Sequence, residues 1–237
     1  MRRMFNFLKV LLYPVATVLV PCKVMDKDKF KKIECGNLII SNHLSWMDVP
    51  YQMFWLPGFK RMLSKKENDG GKFKHWFVTN VGIIFIDRDK PELSAMRECI
   101  NALKNGEIMT IYPEGTRNKV NRDLQELHSG AALLALKGDA TVTPVVCHHK
   151  GVPFHRNYIG VGDPVNLDDL RGKRIDNDML IEATARFRTA MEKTLAKLDY
   201  WVEHKGWKTD KKEKRRRKRL LKKQYKQAKK AAKSENA

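Results

Sequence analysis

The 237-residue chain lacks a clean apolar run of the roughly 20 residues that a membrane-spanning helix needs. Its longest candidate, Met4 to Val20, is interrupted by Asn6, Lys9 and Pro14. Cysteine is scarce: Cys22, Cys35, Cys99 and Cys147 are far apart and form no C-x-x-C pair, so the pattern implies reduced thiols and no disulfide framework. No H-E-x-x-H occurs, and His148 and His149, adjacent on an expected strand, should point to opposite faces, so no metal site and no bound cofactor are expected. G-x-S-x-G is also missing, which leaves serine-hydrolase chemistry without its elbow. "DGGKF" (69–73) lacks the earlier glycine and the Ser/Thr of a phosphate loop, and "GVGDPV" (160–165) lacks the third glycine of a dinucleotide fingerprint. There are no internal repeats.

Acidic residues are few as well: 27 Asp and Glu against 47 Lys and Arg give a formal charge of +20. Residues 208–237 hold 15 Lys/Arg and 3 acids, so the tail carries +12 and the body only +8. An anionic partner is implied: a membrane surface, a nucleic acid or a phosphorylated substrate.

What the chain does have is a core. Its hydrophobic fraction of 42% is globular, and short apolar runs alternate with helical patterns. Strands are predicted at 37–41, 59–63, 83–86, 108–112, 142–147 and 158–161. Such runs, buried on both faces, indicate an α/β fold with a mainly parallel sheet. One helix is predicted from Pro91 to Asn105, capped by Asp89 and facing the core with Leu93, Met96, Ile100 and Leu103. A second, from Asp178 to Leu198, should bury Leu180, Ala183, Phe187, Met191, Leu195 and Leu198.

Three polar stretches sit at strand ends, where α/β sheets build their sites. In "NHLSWMD" (42–48), His43 can take a proton from an attacking group and Asp48 can orient it. The two are five apart, about 140° around an uninterrupted helix, so they pair only across a turn. A polar turn in which Ser45-x-x-Asp48 caps a helix is the competing reading. In "YPEGTRN" (112–118), Glu114, Gly115, Thr116 and Arg117 offer backbone donors, a hydroxyl and a guanidinium to an anion. A Glu114–Arg117 ion pair closing a turn is the alternative. Arg88, which ends "GIIFIDR" (82–88), adds a further cation. A base with an anion site and no nucleophile suits direct transfer from an activated donor to a substrate hydroxyl.

With "VTPVV" (142–146), these motifs, in this order over about Cys35 to Leu198, resemble the 1-acylglycerol-3-phosphate O-acyltransferase (lysophosphatidic acid acyltransferase) family. The resemblance implies an enzyme that moves an acyl group from acyl-CoA or acyl carrier protein to the sn-2 hydroxyl of lysophosphatidic acid, forming phosphatidic acid for phospholipid biosynthesis. His43 would be the base and Asp48 its partner, while Arg88, Glu114, Gly115, Thr116 and Arg117 would line the acceptor phosphate site. Tyr112, Asn118 and His128 depart from the family's usual Phe, Ser and Lys. Glycerol 3-phosphate, another lysophospholipid or an aminolipid is the alternative acceptor.

Three regions are expected: a membrane-associating segment (1–21), an acyltransferase domain (22–207) and a basic tail (208–237). The first should lie in the membrane interface, with a signal peptide or a buried core helix as competing readings. The tail should attract an anionic membrane surface, which would place the protein on the cytoplasmic face as a monotopic or peripheral enzyme. Nucleic acid is not expected as a partner, because the tail has little aromatic interleaving beyond Tyr225.

Overall fold

A computed structural model describes residues 1–31, 36–65, 71–86 and 93–208, together with 215, 216, 219 and 220. Residues 1–198 form one compact unit and 199–237 a second. Within the first, seven strands build one sheet: β1 (Cys22–Met25), β2 (Asn37–Ile40), β3 (Lys60–Lys65), β4 (Ile83–Ile86), β5 (Ile108–Ile111), β6 (Thr141–Cys147) and β7 (Asn157–Val161). Their spatial order is β1-β7-β6-β2-β5-β3-β4, with every pairing parallel except β6 against β7. The expected α/β class holds, and all six expected strands are present. The edge strand β1 was not anticipated, because its Lys23 interrupts a four-residue apolar pattern.

The helices are α1 (Arg2–Leu19), α2 (Lys27–Lys31), α3 (Asp48–Trp55), α4 (Gly71–Asn80), α5 (Leu93–Lys104), α6 (Gly130–Lys137) and α7 (Asn177–Glu203). In α5 the expected core stripe is rotated. Leu93 is 66% exposed, while Ala95, Cys99, Ala102 and Leu103 are buried. Small Ala and Cys side chains permit close packing but signal burial weakly in a sequence, so the eye follows the larger residues. The Asp89 cap and Pro91 lie outside the described residues. Along α7, Ala183, Phe187, Met191 and Leu198 are buried as expected, joined by Thr194, while Leu180 and Leu195 are only half-buried.

No helix among the described residues is long and apolar enough to cross a membrane. One face of α1 packs on the domain: Phe5 sits edge-on to Phe59, and Ala16 and Val20 join a core cluster with Ile39, Tyr51 and Val145. The opposite face leaves Phe7, Val10, Leu11 and Val18 at least 60% exposed.

The C-terminal end of α3 is held by a buried lysine. Lys60 Nζ donates to the carbonyls of Leu56, Pro57 and Gly58 at 3.2, 2.9 and 3.0 Å. Three donors meet three acceptors, so a helix end that would leave carbonyls unpaired is satisfied. Lys9 of α1 reaches the same Leu56 carbonyl at 2.8 Å. Burial lowers both amines, Lys9 to about 8 and Lys60 well below its ordinary value.

This arrangement positions the site. β2 lies between β5 and β6 with its residues almost wholly buried, and Ile40 pairs in register with Ile111 and Pro144. The chain leaves β2 toward β3 on one side, while β5 and β6, joined through α6, flank it. The three strand ends therefore open at one switch point, where loops converge on a common crevice.

Candidate active site

Asn42 closes the floor of the crevice. Its Nδ2 donates to the Cys147 carbonyl at 3.0 Å, and its Oδ1 accepts the Cys147 N–H at 2.8 Å. This paired clasp ties the end of β2 to the end of β6 and fixes where the next residue, His43, leaves the sheet.

His43 Nδ1 lies 3.0 Å from Asp48 Oδ2, and Asp48 is fully buried. The same oxygen accepts the N–H groups of Leu44 and Ser45, each at 2.7 Å. Ser45 Oγ accepts the Met47 N–H at 3.1 Å, and the Asp48 N–H donates to the Ser45 carbonyl at 3.2 Å. Of the two readings of "NHLSWMD" the pairing across a turn is the one seen: α3 has Met47 at its N-cap and no side-chain cap hydrogen bond. The turn that starts α3 is the turn that brings the acid to the histidine, and backbone donors hold its charge. Nδ1–H facing the carboxylate leaves Nε2 as the ring nitrogen for a substrate hydroxyl.

The ring is stacked on Tyr112, with centroids 4.1 Å apart and planes 22° from parallel. Burial pushes the Tyr112 phenol well above its ordinary value, so it stays neutral beside the Asp48 carboxylate.

Glu114 departs from its expected place. Its side chain does not pair with Arg117: Oε1 accepts the His43 backbone N–H at 2.9 Å, and Oε2 accepts the Gln125 N–H at 3.2 Å. Burial raises its carboxyl above the ordinary value, and those two N–H groups act in the opposite direction. Glu114 is therefore buried and joins the His43 backbone to the loop at Gln125.

Nor is the backbone of the loop an open nest. The Gly115 N–H goes to the Tyr112 carbonyl at 3.0 Å and the Thr116 N–H to the Glu114 carbonyl at 2.8 Å. Gly115 adopts φ +68°, and a Cβ there would lie 2.8 Å from His128 Cδ2, so the histidine ring rests on the glycine. The exposed groups at the turn are the Thr116 hydroxyl and the Arg117 guanidinium. Arg88 lies outside the described residues.

Two further features, one residue and one pair, were not assigned a role from the sequence. Asn118, 3% exposed, organises the loop: its Oδ1 accepts the N–H groups of Val120 and Asn121, and its Nδ2 reaches the Asp123 carbonyl at 2.7 Å. Its own N–H donates to the His43 carbonyl at 2.7 Å. The other is the His148–His149 pair. β6 ends at Cys147, so the two are not on a strand and their Nδ1 atoms lie 3.1 Å apart, correcting the expected opposite orientation. Burial lowers His149. Among the described residues, no group of three or more His, Cys, Asp or Glu could hold a metal ion.

A family model described as Acyltransferase matches residues 22–148. A 1-acyl-sn-glycerol-3-phosphate acyltransferase of Streptococcus pneumoniae is 28% identical over 195 residues, covering 79% of this chain and 69% of that protein. One of Helicobacter pylori is 32% identical over 125 residues, covering 52% of this chain and 53% of its own length. The crystal structure of the 1-acyl-sn-glycerophosphate (LPA) acyltransferase PlsC from Thermotoga maritima superposes with a TM-score of 0.56 at 18% identity. It covers 81% of this chain and 97% of that one, a likeness of fold.

Proposed function

The chain belongs to the Acyltransferase family, and from that premise we propose that its acceptor is lysophosphatidic acid and its donor an acyl thioester, on CoA or acyl carrier protein. The observation that carries the reading is the His43–Asp48 pair at 3.0 Å, with the acid oxygen also held by two backbone N–H groups. A charge fixed in this way orients the ring and stabilises the imidazolium as it forms.

In this reaction His43 Nε2 takes the proton of the sn-2 hydroxyl while that oxygen bonds to the thioester carbonyl carbon. The tetrahedral intermediate collapses with cleavage of the C–S bond. The imidazolium returns its proton to the sulfur, giving a free thiol and phosphatidic acid. Thr116 and Arg117 are the groups that meet the acceptor phosphate, a role suited to a planar cation. The relatives' names support this acceptor.

The outward apolar face of α1 supports an interfacial position on the cytoplasmic leaflet, where the acceptor lipid resides. The basic tail adds attraction to anionic lipid of about 1 kcal/mol for each Lys or Arg near the surface. Because α1 also packs into the core, Phe7→Ser with Val10→Ser tests this better than deleting the helix. Weaker flotation with vesicles of neutral lipid, where the tail adds little, at unchanged melting temperature, is expected.

The decisive assay offers lysophosphatidic acid and acyl-CoA to wild type, His43→Ala and Asp48→Asn in mixed micelles. Thiol release should match phosphatidic acid formed, and both should fall by about three to four orders of magnitude in the variants. Wild-type transfer to glycerol 3-phosphate but not to the lysolipid would reassign the acceptor.

A further inference from the structure

The anion-binding turn belongs to an irregular connection running from Tyr112 to Ser129, between β5 and α6. A structureless loop of this length inside a domain needs anchors if it is to present a fixed site. At one end it is tied to β2's extension, through Glu114 to the His43 N–H and through the Asn118 N–H to the His43 carbonyl. Its far end is held from outside the sheet by a residue that the family model does not reach. Arg188, on α7, lies 40 residues beyond the end of the matched region at 148.

The Arg188 guanidinium donates from Nη1 and Nη2 to the Leu124 carbonyl at 3.3 and 3.2 Å, and from Nη2 to the Gln125 carbonyl at 3.5 Å. Gln125 then leads in two directions. Its N–H donates to Glu114 Oε2, and its side-chain oxygen accepts the Thr116 hydroxyl at 3.2 Å. Leu127 is buried near the loop's end. Beside it lies a cleft of about 300 Å³, walled by Leu127, Ile181, Thr184 and Ala185 with Arg188 and Glu126. Arg188, on that wall, joins helix to loop by directed hydrogen bonds.

We propose that Arg188 is a positioning residue for the acceptor: it holds Leu124 and Gln125 so that Glu114 and Thr116 keep the anion-binding turn in register with His43. The assignment of that turn to an acceptor phosphate rests on the function proposed above. Arg suits the task because its planar fork reaches two carbonyls at once, which a single ammonium does less well.

The test uses the full chain in mixed micelles, comparing wild type with Arg188→Ala, Arg188→Lys and Glu192→Ala. Glu192 is the control, since it meets Arg188 one turn along the helix at 3.5 Å but makes no hydrogen bond to Leu124 or Gln125. Arg188→Ala should raise the KM for lysophosphatidic acid about tenfold, the scale of a modest misplacement of a binding group. The acyl-CoA KM and the melting temperature should stay near wild type. Arg188→Lys should recover part of the loss, and Glu192→Ala should show none. Amide hydrogen exchange of the peptide spanning 119–129 should quicken in Arg188→Ala alone. An unchanged acceptor KM, or donor and acceptor KM rising together with a lower melting temperature, overturns the proposal. If wild type transfers nothing to this acceptor, the functional reading fails separately, and exchange judges the clamp. Faster exchange in Arg188→Ala then keeps it and unchanged exchange overturns it.

Discussion

The backbone N–H of His43 donates to Glu114 Oε1 at 2.9 Å across 71 residues of sequence. The proposed base and the residue that begins the 114–117 turn are thereby tied together. Catalysis by transfer between two bound substrates requires this, because a base displaced from its acceptor hydroxyl loses the advantage of proximity.

Glu114→Gln should keep one acceptor for two N–H groups and lose the charge on both bonds. A charged hydrogen bond contributes about 1.5–3 kcal/mol, so kcat should fall roughly 10- to 100-fold while the variant stays folded. The pH dependence has a definite sign. Burial raises the native carboxyl above its ordinary value, so between those two values the folded chain keeps a proton that the unfolded chain has released. The stability contributed by Glu114 therefore falls as pH rises through that interval and is level on either side. Urea unfolding of wild type minus Glu114→Gln, followed upward from about pH 4, should show this decline; a difference that grows with pH would contradict it.

Tyr112→Phe should be tolerated. The ring keeps its stacking on His43, and the phenol oxygen is buried with no hydrogen-bond partner among the described residues. Removing an unsatisfied hydroxyl should leave stability unchanged or raise it by up to about 1 kcal/mol, with kcat retained. Tyr112→Ala removes the stack as well, so its kcat should fall. Equal activity of the two variants would show that the stack does not orient the base.

Gly115→Ala should weaken acceptor binding. The left-handed φ of +68° costs an alanine about 1 kcal/mol, and its Cβ would press on the His128 ring at 2.8 Å. The acceptor KM should rise. Adding His128→Ala should relieve the contact but not the backbone strain, so the double variant should recover only part of the loss. Full recovery would mean that the turn tolerates any residue there.

Lys60→Met tests stability far from the chemistry. It would leave the Pro57 and Gly58 carbonyls without their lysine donor, while Lys9 still serves Leu56. Pro57 is only half-buried and Gly58 is exposed, so water can replace the lysine in part, and a loss of about 1–3 kcal/mol in all is expected in denaturant unfolding. Acyl transfer per folded molecule should be unchanged.

The sequence by itself determined the class of fold and the strands that build the sheet, all but β1. Strands such as Asn37–Ile40 are buried on both faces, and that burial writes itself as an apolar run that periodicity can find. The His43–Asp48 pair was legible too, because its partners lie within one turn and the turn chemistry is local. The tertiary structure decided what each polar group touches. Glu114 reads as a phosphate-site residue and serves two backbone amides; Lys60 and Arg61, given no role in the sequence, are 0% and 6% exposed. Arg188 carried no signal within a helix full of charges. Each of these roles depends on partners brought together by the packing of strands and helices. Local propensity encodes the turn, but only the assembled sheet brings Glu114 to His43 and Arg188 to Gln125.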